Sequence, residues 1–310
     1  MSYNFAVDIA THALIGTATA AGLFHAHPAL AVGLVLGNVA PDLDALSRVA
    51  GKLAFLRFHQ TYTHSVGAVA AVLTLASVLL VSNVAVWGEL AIGLAMGMAM
   101  HVGLDLTNSY GVKCLWPLSQ RRFALDWIFF IDAPVVVLCT VILVAQFLSQ
   151  TNEDRLRWLS VIFVMALASY VALRSFIAGR AKRWVNSSSD QFESASIIPT
   201  TWSPFRFLVC RQQMGLICTF AVDAKSGRQS EEESIAILDQ SVPQTITGCL
   251  ERQVMRSLSA FFVCVEIESD AESGTYTCED LRIRNFGAKF GRLTCRLDSR
   301  GAIQQKTWDV

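Results

Sequence analysis

The chain has 310 residues, 53% of them apolar and only 16% charged, with a mean hydropathy of +0.44, which excludes a disordered or highly charged scaffold and points to lipid. Its 25 Lys and Arg cancel 25 Asp and Glu, so it has no basic field of the kind that draws proteins onto nucleic acid. Residues up to Ile177 carry 9 basic and 9 acidic side chains and the shorter remainder carries 16 of each, so a membrane-like part precedes an ordinary soluble one.

The first apolar region, Ala10 to Ala40, is interrupted by His25, His27 and Pro28. It is either one long helix bent at Pro28 or a hairpin of two short, Gly- and Ala-rich helices. Ser65 to Gly88 is free of charge, and about 20 apolar residues suffice to cross the hydrocarbon core as a helix. Leu90 to Leu104, Ala133 to Asn152 and Trp158 to Leu173 are three further spans, each edged by charge. After a polar linker at Asn186 to Asp190, the stretches Phe205 to Val209, Leu216 to Val222, Phe261 to Glu268, Gly274 to Cys278, Leu281 to Ile283 and Leu293 to Leu297 read as short strands. Asp298 to Gly301 is a hairpin turn before a last strand, and Thr247 to Leu258 reads as a single helix.

Under the hairpin arrangement Arg48, Lys52, Arg57, Lys113, Arg121, Arg122, Arg174, Arg180, Lys182 and Arg183 share one face, against Arg155 and Arg157 on the other. The positive-inside rule places that richer face, and both termini, in the cytoplasm. The first ten residues carry Asp8 and no Lys or Arg, so no cleavable signal peptide is expected. Six of the eight cysteines lie in the soluble part without a C-x-x-C pair; a cytoplasmic setting makes them free thiols. The expected fold is mainly α: a polytopic transmembrane helical bundle over residues 1–180, then a small C-terminal cytoplasmic β-rich domain over 181–310.

Polar side chains inside an apolar span are expensive, about 2.5–3.5 kcal/mol for an Asp at a helix centre, and are candidates for function by default. His12 opens the first apolar stretch; Asp42 and Asp44 follow Pro41 at the end of the second; His59 and His64 precede the charge-free span; His101 and Asp105 end the next. In a hairpin all seven converge at the cytoplasmic end, whereas one straight helix would put His12 and Asp42 about 45 Å apart. His101 and Asp105, at i and i+4, share a helical face. Four imidazoles favour zinc, with manganese or iron as alternatives, over magnesium, and seven donors exceed what one tetrahedral ion requires, so a two-metal site is expected, with one ion as the minimum. Such ions lower the pKa of water and steady attacking and leaving oxygens, so hydrolysis is the natural chemistry. Intramembrane His and Asp also line ion pathways, so an ion or small-solute transporter is the competing reading. Asp132, beside Ala133-Pro134, either orients a ligating His or caps a helix; Arg121 and Arg122 either hold a phosphate or mark the inner face. His25 and His27 read as loop residues.

T-H-x-x-x-G at 11–16, G-N-x-x-P-D-L-D at 37–44, H-x-x-x-T-H-S at 59–65, H-x-x-x-D at 101–105, and the run from Tyr110-Gly111 through Trp116-Pro117 to Arg121-Arg122-Phe123, Asp126 and Asp132-Ala133-Pro134 resemble the YdjM-like family. The family is described as LexA-regulated, membrane-bound, metal-dependent hydrolases of the bacterial inner membrane. Over residues 8–180 the resemblance implies a multi-pass inner-membrane hydrolase of the SOS response, with His12, Asp42, Asp44, His59, His64, His101 and Asp105 at the family's polar motif positions. Gln60 and Thr61 stand where the family commonly has Arg and Gly. Asp105 and His64 are the expected catalytic residues. Because the site would open at head-group level, a membrane lipid or lipid-linked phosphoester is the expected substrate; no nucleic acid and no obligate protein partner is inferred.

Overall fold

The computed structural model describes residues 6–129, 132–187, 192–269, 273–283 and 291–309. The chain divides into two compact units, one ending at Phe176 and including Thr200–Pro204, the other comprising Ile177–Pro199 and Phe205–Val310.

The first unit opens with the hairpin alternative. Helix α1 (Ala6–Ala20) ends in a short 3-10 turn, and Pro28 starts α2 (Pro28–Val39) from its first turn, where its missing N–H costs nothing. Pro41 then tightens the chain into a 3-10 run over Ala40–Ala50. At three residues per turn, Leu43, Leu46 and Val49 form an exposed apolar ridge while Asp42 is turned inward. The loop expected at 41–63 is thus largely helical, since α3 (Lys52–Phe58) follows.

The charge-free stretch from Ser65 to Gly88 is not one span. It holds α4 (Val66–Val81), a turn in which Asn83 has a φ of 59°, and the start of α5 (Ala85–Leu106). Asn tolerates that left-handed conformation, so it can break a run that hydropathy reads as continuous. Helices α6 (Ala133–Phe147) and α7 (Glu153–Asn186) complete the set, α7 extending well beyond both ends of the expected 158–173. Among the described residues three segments, Pro28–Ala50, Ala85–Leu106 and Glu153–Asn186, are long and apolar enough to cross a membrane; α1, α4 and α6 are shorter apolar helices.

Glycine sets the α2/α5 distance. A Cβ on Gly33 or Gly37 would lie 2.1 or 2.0 Å from the carbonyl oxygen of Leu90 or Leu94, and on Gly93 or Gly97 2.1 or 2.2 Å from that of Leu30 or Leu34. Two small-xxx-small faces therefore interlock backbone to backbone. On the other flank Ile15 and Ala18 of α1 pack with Val135, Cys139 and Ile142 of α6 and Phe163 and Leu167 of α7. The Ala18 carbonyl, near the end of α1 where no intrahelical donor remains, accepts from Gln146 Nε2 (2.8 Å) and Ser160 Oγ (3.0 Å).

The second unit contains two antiparallel four-stranded sheets, each in simple chain order: β1 (Ser194–Pro199), β2 (Arg206–Gln213), β3 (Leu216–Asp223) and β4 (Glu233–Ala236), then β5 (Phe262–Ser269), β6 (Ser273–Asp280), β7 (Arg292–Asp298) and β8 (Ile303–Asp309). Cys210 and Ile217 of the first pack with Phe261, Val263 and Leu281. The hairpin turn at Asp298 forms as expected, Asp298 Oδ1 accepting from the N–H of Arg300 and Ala302 (both 2.9 Å). Two expectations fail. Leu281 to Ile283 is a turn, because Asp280 is held by Ser259 and Arg282 and the chain leaves the sheet there. Thr247 to Leu258 is two helices, α8 (Gln244–Thr247) and α9 (Leu250–Leu258), broken where Cys249 adopts an extended conformation. Strands β1 and β4 were not anticipated. Of the expected polar linker, Asn186 is the last residue of α7 and 188–190 lie outside the described residues.

Candidate metal centre

The last two turns of α5 supply His101 and Asp105, the 3-10 run supplies Asp42, and the residue before the N-cap of α4 is His64. These four side chains are fully buried and offer donor atoms that all lie within 4.8 Å of one another. His64 Nε2 is 3.1 Å from His101 Nε2, 3.4 Å from Asp42 Oδ1 and 3.4 Å from Asp105 Oδ2; His101 Nε2 is 3.5 Å from Asp42 Oδ1 and 3.6 Å from Asp105 Oδ2. A tetrahedral ion with bonds of about 2.0–2.1 Å has donor–donor edges of about 3.3–3.4 Å, and these five of the six edges all lie within about 0.3 Å of that.

The rings are oriented from behind. His101 Nδ1 lies 2.8 Å from the Asn38 carbonyl, and His64 Nδ1 lies 3.2 Å from Asp44 Oδ2 and 3.0 Å from Thr63 Oγ1, whose own hydroxyl donates to Asp44 (2.7 Å). A carbonyl can only accept, so His101 carries its proton on Nδ1, and the same assignment suits His64. Both Nε2 lone pairs then face each other at 3.1 Å beside two carboxylates, an arrangement that is repulsive without a cation. Asp42 Oδ2 is buried with no hydrogen-bond partner among the described residues. Burial opposes charge on His64, but the bonds to Asp42 and Asp44 outweigh it and hold its pKa above the ordinary value; the pocket attracts positive charge.

The other three expected donors stand one layer out. Asp44 is a hub: Oδ1 is 2.6 Å from His59 Nδ1, and Oδ2 accepts from the Gln60 N–H (3.1 Å) and Thr63. His12 Nε2 lies 3.2 Å from Asp105 Oδ1, its ring stacked on His101 with centroids 3.8 Å apart. His12, Asp105 and Asp132 also line a cavity of ≈ 40 Å³, space for two or three waters at about 10–15 Å³ each.

The loop after α5 fixes the start of α4, where unpaired helical N–H groups need partners: Val66 and Gly67 donate to the carbonyls of Cys114 (2.8 Å) and Trp116 (3.2 Å). Gly111, with a φ of 72° and the Phe123 carbonyl where a Cβ would sit, makes the turn possible. It lets Arg122 donate to the carbonyls of Gly111 (2.9 Å) and His59 (3.1 Å). Burial pulls Arg122 down to about 10, partly offset by Asp44, so this side chain braces the histidine loop. Asp132 caps α6 through the Val135 N–H (3.4 Å), accepts from Tyr170 Oη (2.7 Å) and faces Arg174 at 4.0 Å. Its bonds reach no histidine, so the capping alternative describes it. His25 and His27 lie in the interhelical loop, 3.6 and 3.7 Å from Glu153 and Glu89.

Residues 7–177, which contain every one of these side chains, match the YdjM inner membrane protein family. The chain belongs to that family. It is also 27% identical over 206 residues to the uncharacterized protein YfhP of Bacillus subtilis (strain 168), an alignment covering 63% of this chain and 62% of that one. No solved structure matches. Membership of the YdjM family and the three long apolar helices make this a membrane protein that carries a buried His/Asp group able to hold a metal ion. Asn38 and Thr63 take part in the centre without any sequence signal: a backbone carbonyl leaves no mark in a sequence, and an uncharged side chain is unremarkable at a helix end; Gln60, which stands where the family commonly has Arg, takes part as well. Gln60 Nε2 is 3.5 Å from Asp105 Oδ2.

Proposed function

We propose that the protein is a membrane-bound hydrolase that uses one divalent ion, zinc by preference, held by Asp42, His64, His101 and Asp105 at the cytoplasmic face. The observation that carries this reading is the 3.1 Å approach of two imidazole Nε2 atoms whose Nδ1 atoms are committed elsewhere. Two nitrogen and two carboxylate donors suit zinc, manganese or iron better than magnesium. A divalent ion bound there supplies Lewis acidity and hydroxide near neutral pH.

The chain's own groups divide the remaining work. Asp105 turns Oδ2 to the inner set and Oδ1 to His12, so His12 is placed to accept a proton and pass it to the adjoining cavity. Asp44 fixes His64 and, through His59, the loop that carries it. A second ion would have to displace His59 from Asp44, so we assign these two to support. The ten basic residues that the hairpin arrangement groups on one face support, by the positive-inside rule, a site at the inner leaflet. A lipid or lipid-linked phosphoester is the substrate class that reaches it there.

The test is release of phosphate or head group from lipid extracts by the purified protein, with and without chelator. Metal-dependent release that Asp105→Asn abolishes is expected. Release of equal rate from the variant, or from chelated protein, refutes the proposal.

A further inference from the structure

The loop that carries His59 and His64 also has an outward side. Gln60 and His64 are buried, whereas Phe58 and Tyr62 of the same stretch are exposed. The Phe58 and Tyr62 ring centroids lie 5.9 Å apart, and Tyr62 stands edge-on to the Trp116 ring at 5.1 Å. Three aromatic side chains from two loops therefore form one surface patch. Leu118, two residues beyond Trp116, is 86% exposed. The apolar surface continues from Tyr62 into α4, where Val66, Leu73 and Leu75 are exposed.

The charge around the patch is of one sign. Neither the stretch from Ala45 to Gly88 nor that from Leu106 to Leu125 contains an Asp or Glu, but the first holds Arg48, Lys52 and Arg57 and the second Lys113, Arg121 and Arg122. Arg122 is turned inward onto the Gly111 and His59 carbonyls. Arg57 and Arg121 remain exposed, next in chain to the patch residues, with Arg121 lying 5.4 Å from the Phe123 ring centroid. Aromatic rings with a polar tip collect where hydrocarbon meets head groups, and arginine at that depth pairs with phosphate. A wholly apolar partner would leave these cations unanswered.

We propose that Phe58, Tyr62, Trp116 and Leu118, bordered by Arg57 and Arg121, are a docking surface for an anionic phospholipid leaflet. The arginines take head-group phosphates, the rings and Leu118 enter the layer beneath, and the histidine loop is seated at head-group depth. The surface is separate from the four inner donors and does not depend on the hydrolytic reading. It also divides the Arg121–Arg122 pair by role: Arg122 braces the loop and Arg121 meets phosphate.

The experiment compares hydrogen–deuterium exchange of the full-length protein in nanodiscs of phosphatidylglycerol and of phosphatidylcholine. Slower exchange in phosphatidylglycerol is expected at 57–62 and 115–121, and it should fade at high salt. Residues 83–88 are the control, since they carry the exposed Trp87 but no charge, and should exchange alike in both lipids. The double variant Arg57→Gln, Arg121→Gln should lose the difference between lipids. In micelles it should bind added phosphatidylglycerol more weakly, by about fivefold for each charge removed, with its metal content unchanged. Equal exchange of both loops in the two lipids, or a phosphatidylglycerol preference that survives in the double variant, overturns the proposal. So does protection that appears in lipid-free micelles and grows with protein concentration, which would assign the surface to a second copy of the chain.

Discussion

Replacing Gly97 by Ala tests whether helix spacing controls the metal centre. The new Cβ would stand 2.2 Å from the Leu34 carbonyl oxygen and 2.7 Å from the Asn38 nitrogen, where ordinary contact begins at 3.4 Å. The α2 and α5 backbones must therefore part by about 1.2 Å, the difference between those two distances. Asn38 is the residue whose carbonyl holds His101 at 2.8 Å, and Asp42 lies one turn further on. A metal tolerates about ±0.2 Å in its bonds, so the donor edges open beyond use. We expect at least tenfold weaker zinc binding, the usual consequence of losing an orienting partner, together with about 1–3 kcal/mol of overpacking strain. Gly103→Ala is the control: it lies on the same helix with nothing within 4 Å of its Cβ position, and Ala should stabilise that helix by about 1 kcal/mol. Competition titration with a zinc chromophore and thermal unfolding in detergent measure both. Unchanged zinc affinity in Gly97→Ala with normal folding would refute the reasoning.

Asp44→Asn replaces one of the two carboxylate oxygens that face His59 and His64 by an NH2 donor and should weaken metal binding about 10–100-fold while leaving Asp42 and Asp105 in place; metal content after gel filtration reads it. Tyr170→Phe deletes the hydroxyl that serves buried Asp132 and should cost about 1–3 kcal/mol in unfolding with metal content unchanged, because Asp132 bonds no ligand histidine. Stripping the ion with chelator should lower the melting temperature, and restoring zinc to 100 times its dissociation constant should return about 2.7 kcal/mol; a melt indifferent to zinc would count against a bound metal.

How much of this could be read from residues alone depends on how local each cause is. The break at His25 to Pro28 combines two polar rings with a proline, which marks the interruption but leaves a hairpin and a bent helix both open; the structure resolves the region into two helices. Ser65 to Gly88 misleads because its turn rests on one Asn in a left-handed conformation, which hydropathy cannot register. Asp42, His64, His101 and Asp105 stand out because charge is expensive where they sit. Their separation from Asp44, His59 and His12 depends on ring rotations and on which backbone carbonyl lies behind each ring, and no spacing rule contains that. The α9 boundary is not legible in the residues, because Gly248 and Cys249 interrupt an otherwise continuous helical pattern only through the backbone conformation of Cys249.

The four inner donors come from three separate stretches of chain, 42, 64 and 101–105, and none of the stretches alone holds more than two of them. A nascent chain entering the bilayer one helix at a time consequently offers no complete cage. An ion held by all four donors would be captured only once the glycine faces of α2 and α5 have met and the loop before α4 has been pinned, and an incompletely assembled molecule would be distinguishable by its failure to retain that ion.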